Sequence, residues 1–299
     1  MTLLRRLGAV TTMVGALLVS QSVWHSGWAE PAAGSAKKSQ ASACDRAAFR
    51  VVVDVGHTAE SPGAISARGI YEYDFNLRLA SVIEQELLQA GFGKTVLLVT
   101  DGPARKSLFD RVARANRLSP DLFLSIHHDS VPDSFLEGWE YEGEGHTFSD
   151  RFKGHSIFIS NENVDFAGSL LFGQMLGAQL QARGLRYTPH YIEKFMGHRQ
   201  RILVDANVGV YRYDQLIVLR TTQMPAVLLE AGSIINRAEE LALSAPERQS
   251  LISAAVVGAV DGFCAMRRPR RPDVARAAVA KPALPLNAAV QSSNPAKPR

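Results

Sequence analysis

Cysteine is scarce in this chain of 299 residues, which contains only Cys44 and Cys264. Two cysteines so far apart lack the C-x₂₋₄-C spacing of a cysteine zinc site, so that kind of site is excluded. They flank the part of the sequence in which apolar residues recur periodically. In an oxidising compartment we therefore predict a disulfide that joins the two ends of one domain, with two free thiols as the alternative.

Long uncharged apolar runs are also rare, and the clearest one lies near the N-terminus. Arg5 and Arg6 precede a mostly apolar stretch over residues 7–23, which is followed by small residues that fit an A-x-A-like cleavage site. Residues 1–29 are therefore predicted to be a signal peptide, with an uncleaved membrane anchor as the alternative. We expect an exported protein, periplasmic or in the cell envelope after cleavage, without stable membrane insertion.

Positive charge is scarce in the central part of the chain and concentrated in its C-terminal segment. The formal net charge is +4, but residues 267–299 alone carry eight Lys or Arg against one Asp. Their Pro- and Ala-rich composition predicts a disordered basic tail. Without this tail and the two arginines of the signal segment, residues 30–266 carry a net charge of −5. The tail could attract anionic wall polymer or lipid headgroups, whereas nucleic acid is a poor partner for an exported protein.

Between a small, polar linker (residues 30–45) and the tail, short apolar runs alternate with amphipathic segments. The predicted strands are nearly continuous apolar runs, as in strands covered on both faces: 50–55, 95–99, 121–126, 155–160, 215–219 and 225–229. The predicted helices have apolar residues at helical spacing, or a capping pair at Ser107 and Asp110: 72–90, 107–117, 166–183 and 247–265.

This alternation of strands and helices predicts the fold class. Six strands separated by helices form a three-layer αβα domain over residues 46–266, with a six-stranded, mostly parallel or mixed sheet of the phosphorylase/hydrolase type. In such folds, ligands gather at the carboxyl ends of the strands. The residues that follow the predicted strands are therefore the first candidates for a functional site.

Polar residues with metal-binding side chains stand at three of these strand ends. His57 follows the first strand, His127 and His128 follow the third, and Glu230 follows the last, while Glu72 opens the first helix. Two imidazoles and a carboxylate are the ligands of a catalytic zinc, and a further carboxylate could take a proton from water. Each signal is weak alone, because a single His is more often structural and a Glu at a helix start often serves the helix dipole.

Three sequence blocks resemble the zinc-dependent N-acetylmuramoyl-L-alanine amidases. The stretch VVVDVGHTAESPGAISARGIYEYDFNLRLA (51–80) is similar to their D-x-G-H opening, which is followed by a Glu and a helix. The stretch SLFDRVARANRLSPDLFLSIHHDS (107–130) looks like their R-x-x-x-A-N helix followed by S-I-H. The stretch MPAVLLEAGSIINRAEE (224–240) looks like their M-P-A-V-L-x-E-x-G segment. The blocks occur in the family's order, and together they indicate membership.

The resemblance implies residue roles, a cofactor and a reaction. It implies His57, Glu72 and His127 as Zn²⁺ ligands and Glu230 as the catalytic carboxylate. His128 is the alternative ligand, but neighbouring residues of a strand face opposite sides, so only one histidine should face the metal. The implied reaction is hydrolysis of the amide between the lactyl group of N-acetylmuramic acid and L-alanine in peptidoglycan, with a protein activator as a candidate partner.

Two other functions use the same residues or the same fold. A zinc peptidase or carboxypeptidase of related fold would have the same ligands. A non-catalytic regulatory protein that binds the cell wall would keep the fold without activity. The presence of all four implied site residues argues against the second alternative.

A long connection between predicted elements indicates a regulatory element. Residues 184–214 link the helix at 166–183 to the strand predicted at 215–219, and ordered connections of that length are uncommon. We expect residues 186–208 to form a movable cover over the site, with Glu193 as the side chain that reaches the metal at rest. The alternatives are a packed helix or a wall of the substrate groove.

Overall fold

The computed structural model describes residues 44–267. The predicted signal peptide, almost all of the linker and residues 268–299 of the predicted tail lie outside the described residues. Nine strands occur in the described part: β1 Val51–Val55, β2 Val96–Leu98, β3 Leu122–Asp129, β4 Glu137–Tyr141, β5 Glu144–Phe148, β6 Ser156–Ile159, β7 Ile202–Asp205, β8 Val210–Arg212 and β9 Ala226–Ser233.

Seven of these strands form one mixed sheet, in the order β2-β1-β3-β9-β6-β8-β7. β1 pairs in parallel with both β2 and β3, and β3 pairs in parallel with β9. The sheet changes direction at β6, which runs antiparallel to β9 but parallel to β8. β4 and β5 form a separate antiparallel hairpin. The parallel centre therefore brings the carboxyl ends of β1, β3 and β9 to one edge.

Six α-helices accompany the sheet: α1 Glu72–Gln89, α2 Ala104–Leu118, α3 Phe166–Ala182, α4 Ile217–Arg220, α5 Arg237–Ser244 and α6 Pro246–Met266. The strand β1 shows how they cover both faces. Val51, Val53 and Val55 pack in a core with residues of α1, α3 and α6, whereas Val52 packs on the other face with residues of α2 and α4. The predicted three-layer αβα fold is confirmed, with seven strands in the sheet instead of six.

The last helix is apolar enough to be mistaken for a membrane span. α6 contains 21 residues and, by length and composition alone, is long and apolar enough to cross a membrane. Its buried face, which includes Ile252, Val256 and Phe263, belongs instead to the core shared with α1 and α3. The composition of α6 is therefore that of a core helix.

Three predictions about the elements were wrong. Residues 217–220 form the short helix α4, not a strand, because a short apolar run is equally compatible with a buried helical turn. The strands β7 and β8 and the hairpin were missed; β7 and β8 are only four and three residues long, and the half-buried hairpin lacks a continuous apolar run. α2 begins at Ala104 and not at a capping pair; the Ser107 hydroxyl donates to the Ala104 carbonyl oxygen at 2.9 Å.

The predicted disulfide is confirmed. The Cys44 and Cys264 sulfurs are bonded, and the two residues are 220 positions apart in sequence. Cys264 lies near the end of α6, so the bond attaches the segment before β1 to the last helix. A link that closes almost the whole domain restricts the unfolded chain strongly, because the lost entropy increases with loop length.

We predict that the double variant Cys44→Ala/Cys264→Ala folds but is less stable than the native protein. For a loop of this length the chain-entropy model gives an upper limit of about 5 kcal/mol, and measured effects are commonly smaller. Urea-induced unfolding, followed by circular dichroism, measures the difference. Reductant should destabilise the native protein and leave the double variant unchanged. Equal unfolding midpoints for the oxidised protein and the double variant would contradict this prediction.

Candidate metal centre and active site

Three side chains converge at the carboxyl edge of β1 and β3. His57 follows β1, His127 belongs to β3, and Glu72 is the first residue of α1. The His57 Nε2 lies 3.0 Å from one carboxylate oxygen of Glu72, and the His127 Nδ1 lies 3.0 Å from the other. One ligand atom from each residue lies within 4.8 Å of the others. The Glu72 carboxylate therefore holds both imidazoles around one point.

The donor set fits a small divalent cation such as zinc. Two imidazole nitrogens and one carboxylate oxygen are the protein ligands of many catalytic zinc sites, which leave a fourth position open. Tetrahedral zinc with bonds of about 2.0–2.1 Å places neighbouring ligand atoms about 3.3 Å apart. The two observed separations of 3.0 Å run to different oxygens of Glu72, and one ligand atom from each residue lies within 4.8 Å of the others, so the three residues are near enough to share one ion.

Two glycines make this convergence sterically possible. A Cβ atom on Gly56 would lie 2.4 Å from the His127 ring, and a Cβ on Gly63 would lie 2.5 Å from a Glu72 carboxylate oxygen. Gly63 also has a φ of +80°, which side chains with a Cβ rarely adopt. Any larger residue at either position would displace a member of the group.

His57 is held by a buried arginine from α2. The residue has a φ of 65°, in the left-handed region that is uncommon for residues other than glycine. Arg111 donates from Nη2 to the His57 carbonyl oxygen at 2.7 Å and to the Thr100 hydroxyl at 2.7 Å. Its Nε lies 3.0 Å from an Asp54 carboxylate oxygen. α2 thus fixes the backbone that presents the His57 imidazole.

Asp54 completes this support under the site. Both Asp54 and Arg111 are almost fully buried, and Ser125 donates its hydroxyl proton to Asp54 at 2.6 Å. Burial raises the pKa of Asp54 to about 6, although Arg111 and Ser125 act in the opposite direction. The Asp of the D-x-G-H block and the Arg of the R-x-x-x-A-N block are therefore joined in one buried ion pair.

The structure separates the two candidate histidines of β3. His128 points away from the group, where its Nδ1 donates to the Asn76 side-chain oxygen at 2.8 Å and its ring packs on Phe75. Burial lowers the pKa of His128 to about 3, so the ring is neutral near pH 7. Asn76 in turn donates to the Gly56 carbonyl and to Glu72, each at 3.2 Å. His128 therefore belongs to the supporting structure.

The charge of Glu72 suits a ligand. Burial acts to raise the pKa of this carboxyl, but the hydrogen bonds with His127 and His57 outweigh burial and lower it. Burial also lowers the pKa of His127, so that its ring tends to be neutral. An ionised carboxylate and a neutral imidazole are the protonation states in which these groups bind metal.

Glu230 stands beside this group on the next strand. It pairs in register with His127 across β3 and β9, and its Oε2 is buried without a hydrogen-bond partner in the described part of the chain. Burial, followed by the nearby Asp129 and Glu72 carboxyls, raises the pKa of Glu230 well above its usual range. A carboxyl group that can hold a proton near neutral pH is suited to general acid and base chemistry.

Sequence reasoning missed a polar cluster next to Glu230. The Tyr191 hydroxyl donates to Asp129 at 2.7 Å, and the His190 Nε2 lies 3.6 Å from the other Asp129 oxygen. Burial raises the pKa of Asp129 to about 7, although the bond from Tyr191 opposes this. Asp129 directly follows the two histidines, but Tyr191 is distant in sequence, and no sequence pattern joined them.

The structure corrects the expected role of Glu193. Residues 190–192 and 194–199 form short 3₁₀ turns, and residues 202–205 continue as the edge strand β7. Tyr191 and Met196 are buried in the core of the α2 face. The Glu193 side chain is exposed and lines a separate cleft with Phe152 and Leu185. The segment is therefore packed as a wall, and Glu193 does not reach the metal-binding group.

The site opens into a cleft of about 570 Å³. The metal-binding group and Glu230 line it together with Asp129 and hydrophobic residues of the sheet. One wall comes from the 186–208 segment and the residues after β8: Tyr191, Arg199, Arg201 and Tyr213. The cleft thus presents a metal-binding floor and a proton-holding carboxyl to an extended ligand.

Comparison with known proteins relates this geometry to a family. Residues 51–262 match the family model Amidase_3, described as N-acetylmuramoyl-L-alanine amidase. A putative N-acetylmuramoyl-L-alanine amidase of Buchnera aphidicola subsp. Baizongia pistaciae is 24% identical over 210 residues, which cover 69% of this chain and 92% of the relative. The amidase AmiA of Escherichia coli is 24% identical, with 71% of this chain and 75% of AmiA covered.

Solved structures agree with this relationship at the level of the fold. The catalytic domain of the amidase CwlV from Bacillus (Paenibacillus) polymyxa var. colistinus aligns with a TM-score of 0.53 at 25% identity, and covers 73% of this chain and 99% of CwlV. The CwlD amidase of Clostridioides difficile, solved in complex with the GerS lipoprotein, aligns with a TM-score of 0.51 at 17% identity, and covers 73% of this chain and all of CwlD. Since the family model spans the domain from β1 into α6, the chain belongs to the N-acetylmuramoyl-L-alanine amidase family.

Proposed function

We propose that this protein hydrolyses the amide bond between the lactyl group of N-acetylmuramic acid and the first L-alanine of the stem peptide in peptidoglycan. The convergence of His57, Glu72 and His127 beside the buried Glu230 carboxyl carries this proposal. Family membership supports the choice of substrate. The arrangement supplies a place for a cation and a group that transfers protons, which are the two needs of amide hydrolysis.

The proposed ligands of Zn²⁺ are His57, Glu72 and His127. A bound zinc ion would supply Lewis acidity, which would lower the pKa of a water molecule to about 7 and polarise a carbonyl. The two imidazoles and the carboxylate leave room for ligands from the cleft side. Arg111 and Asn76 maintain the orientation of His57 and Glu72 through the bonds described above.

Glu230 is proposed to move the proton during the reaction. Its unpartnered Oε2 accepts a proton from the attacking water and then donates that proton to the nitrogen of the departing L-alanine. The surrounding burial and the Asp129 carboxyl keep the pKa of Glu230 high enough to hold the proton between the two steps. A nearby bound cation would lower that pKa, which allows the same group to act as a base first.

We also propose an extracytoplasmic location and a protein partner. The Cys44–Cys264 disulfide supports export to an oxidising compartment such as the periplasm or cell envelope, as the N-terminal sequence predicts. A protein activator is supported by the CwlD structure, in which a related fold is bound to a lipoprotein.

Digestion of purified sacculi tests the reaction. An amidase releases intact stem peptides and leaves peptide-free glycan, whereas a carboxypeptidase releases single terminal amino acids. Mass spectrometry of the soluble products distinguishes the two. The products should disappear with a chelator and return with Zn²⁺. A folded, zinc-loaded protein that releases nothing would support the non-catalytic regulatory alternative.

We predict that His57→Ala, Glu72→Ala and His127→Ala each lose zinc and hydrolysis, because each removes one of three proposed protein ligands. Inductively coupled plasma mass spectrometry gives the metal content of the purified variants. Sacculus digestion then gives their activity.

His128→Ala is the matched control for the neighbouring histidine. This variant should retain zinc, although it loses about 1–3 kcal/mol of stability because the Asn76 oxygen is left without its donor. Full zinc occupancy in His127→Ala together with loss in His128→Ala would show that the other histidine is the ligand.

We predict that Glu230→Gln retains zinc but loses turnover by about 10²-fold or more, because the amide has nearly the same shape and cannot accept the proton. Metal content and initial rates of stem-peptide release from sacculi measure the two effects. The assignment of Glu230 as proton-transfer group fails if the zinc-loaded variant keeps its activity.

A further inference from the structure

Two arginines on the wall of the cleft have no acidic partner. Arg199 and Arg201 come from the 194–201 stretch and line the same cleft as the metal-binding group. Their side-chain hydrogen bonds go to backbone carbonyls: Arg199 donates to Ser130 at 3.0 Å, and Arg201 donates to His198 and Gln200 at 2.8 Å each. Within residues 44–267, neither guanidinium is paired with a carboxylate.

Arg201 is held rigidly in place. Its guanidinium lies over the Tyr213 ring, 3.6 Å from the ring centre, and its Nε is buried without a partner among the described residues. The backbone of both stacked residues is also bonded to the fold. The Arg201 N–H donates to the Tyr191 carbonyl at 2.7 Å, and the Tyr213 N–H donates to the Ile159 carbonyl at 2.8 Å. A charged group that is already positioned loses little entropy when it binds a ligand.

Arg199 is close to the reacting region. Its positive charge acts on both Asp129 and Glu230, whose pKa values it lowers against the larger effect of burial. Ser130, which accepts its hydrogen bond, follows His127 by three residues. At about 3.3 Å per residue, this distance along the chain is about 10 Å. A ligand group bound by Arg199 therefore lies within one or two residues of the scissile bond.

Arg199 and Arg201 are available to pair with a negatively charged ligand, because the other charged groups of the cleft are either paired or acidic. Arg111, a buried arginine that also lines the cleft, is paired with Asp54. The floor contains the carboxyl groups of Glu72, Asp129 and Glu230, which would repel a negatively charged substrate group. A guanidinium matches a carboxylate with two parallel hydrogen bonds, so the arginine wall provides the favourable place for such a group.

We propose that Arg199 and Arg201 bind a free carboxylate of the stem peptide, carried by the residue that follows L-alanine. This inference rests on the proposed function and deepens it, because it makes the two arginines determinants of substrate specificity. A peptide in which this carboxylate is amidated loses the charge and binds more weakly.

A matched pair of synthetic muramoyl peptides tests the inference. The two peptides are identical except that the second residue carries a free α-carboxylate in one and a carboxamide in the other. With the zinc-loaded protein, kcat/KM should be about 10- to 100-fold higher for the acid, mainly through KM, as expected for a charge-assisted pair. In Arg199→Gln and Arg201→Gln, the acid-to-amide ratio should fall towards 1.

Three controls separate specificity from folding and from catalysis. Arg117→Gln, an exposed position at the end of α2 far from the site, removes one charge and should keep the native ratio. Arg199→Lys and Arg201→Lys keep the positive charge. If the glutamine variants fold poorly, these lysine variants should show part of the native acid-to-amide ratio of kcat/KM. Calorimetric binding of both intact peptides to Glu230→Gln reports recognition without turnover.

The outcomes distinguish this inference from the proposed function. A native ratio near 1, or a ratio unchanged in the glutamine variants, overturns the inference and leaves the amidase activity intact. Failure of the native protein to cleave either peptide or sacculi overturns the proposed function. In that case the calorimetric measurement with Glu230→Gln decides the inference. Equal dissociation constants for the peptide with the free carboxylate and the peptide with the carboxamide overturn the inference as well, and tighter binding of the peptide with the free carboxylate supports the inference.

Discussion

The site depends on one buried carboxylate that touches two imidazoles. Glu72 lies at the start of α1, and its two oxygens meet His57 and His127, which come from different strands. Because β1 and β3 are parallel neighbours, both histidines reach the same edge of the sheet. The helix α1 then returns the carboxylate to that edge. The three ligand positions therefore require the parallel sheet and the first crossover helix together.

This arrangement concentrates negative charge in a place with little water. Glu72, Asp129 and Glu230 are close enough to influence one another; Glu72 and Asp129 are buried, and Glu230 is half-buried with a buried Oε2. Glu72 is compensated by the histidines, so it stays ionised, whereas the Glu230 Oε2 has no hydrogen-bond partner within residues 44–267 and burial raises the pKa of Glu230. Burial and the nearby carboxyl groups destabilise the ionised form of Glu230, and for the same reason Glu230 is suited to hold a proton. A bound cation would reduce the repulsion among the carboxylates.

Much of the fold could be read from the sequence because its centre obeys simple rules. Strands buried on both faces appear as continuous apolar runs, so β1, β3 and β9 were predicted close to their observed positions. The periphery does not follow that pattern. The β4–β5 hairpin is half-buried and polar on one side, β7 is a short edge strand with exposed apolar residues, and the run at 217–220 is a helical turn.

The functional site was likewise predictable from the sequence only in part. His57, Glu72, His127 and Glu230 were candidates because each stands at the end of a predicted strand or the start of a helix, and the family resemblance then implied their roles. Arg111 and Asp54 were part of the family pattern, but their ion pair under His57 depends on how α2 packs against β1. Asp129 and Tyr191 meet across 62 residues, a contact that no local pattern encodes.

The long 184–214 connection supplies one wall of the cleft. A cover would have to release from the site, but this segment is tied down at several points. Tyr191 is buried and bonded to Asp129, β7 extends the sheet, and the Arg201 backbone is bonded to Tyr191. These contacts join the segment to the core, so its arginines stand on a fixed wall. The contacts with the core therefore favour a wall of the cleft, the alternative that the sequence left open, over a movable cover.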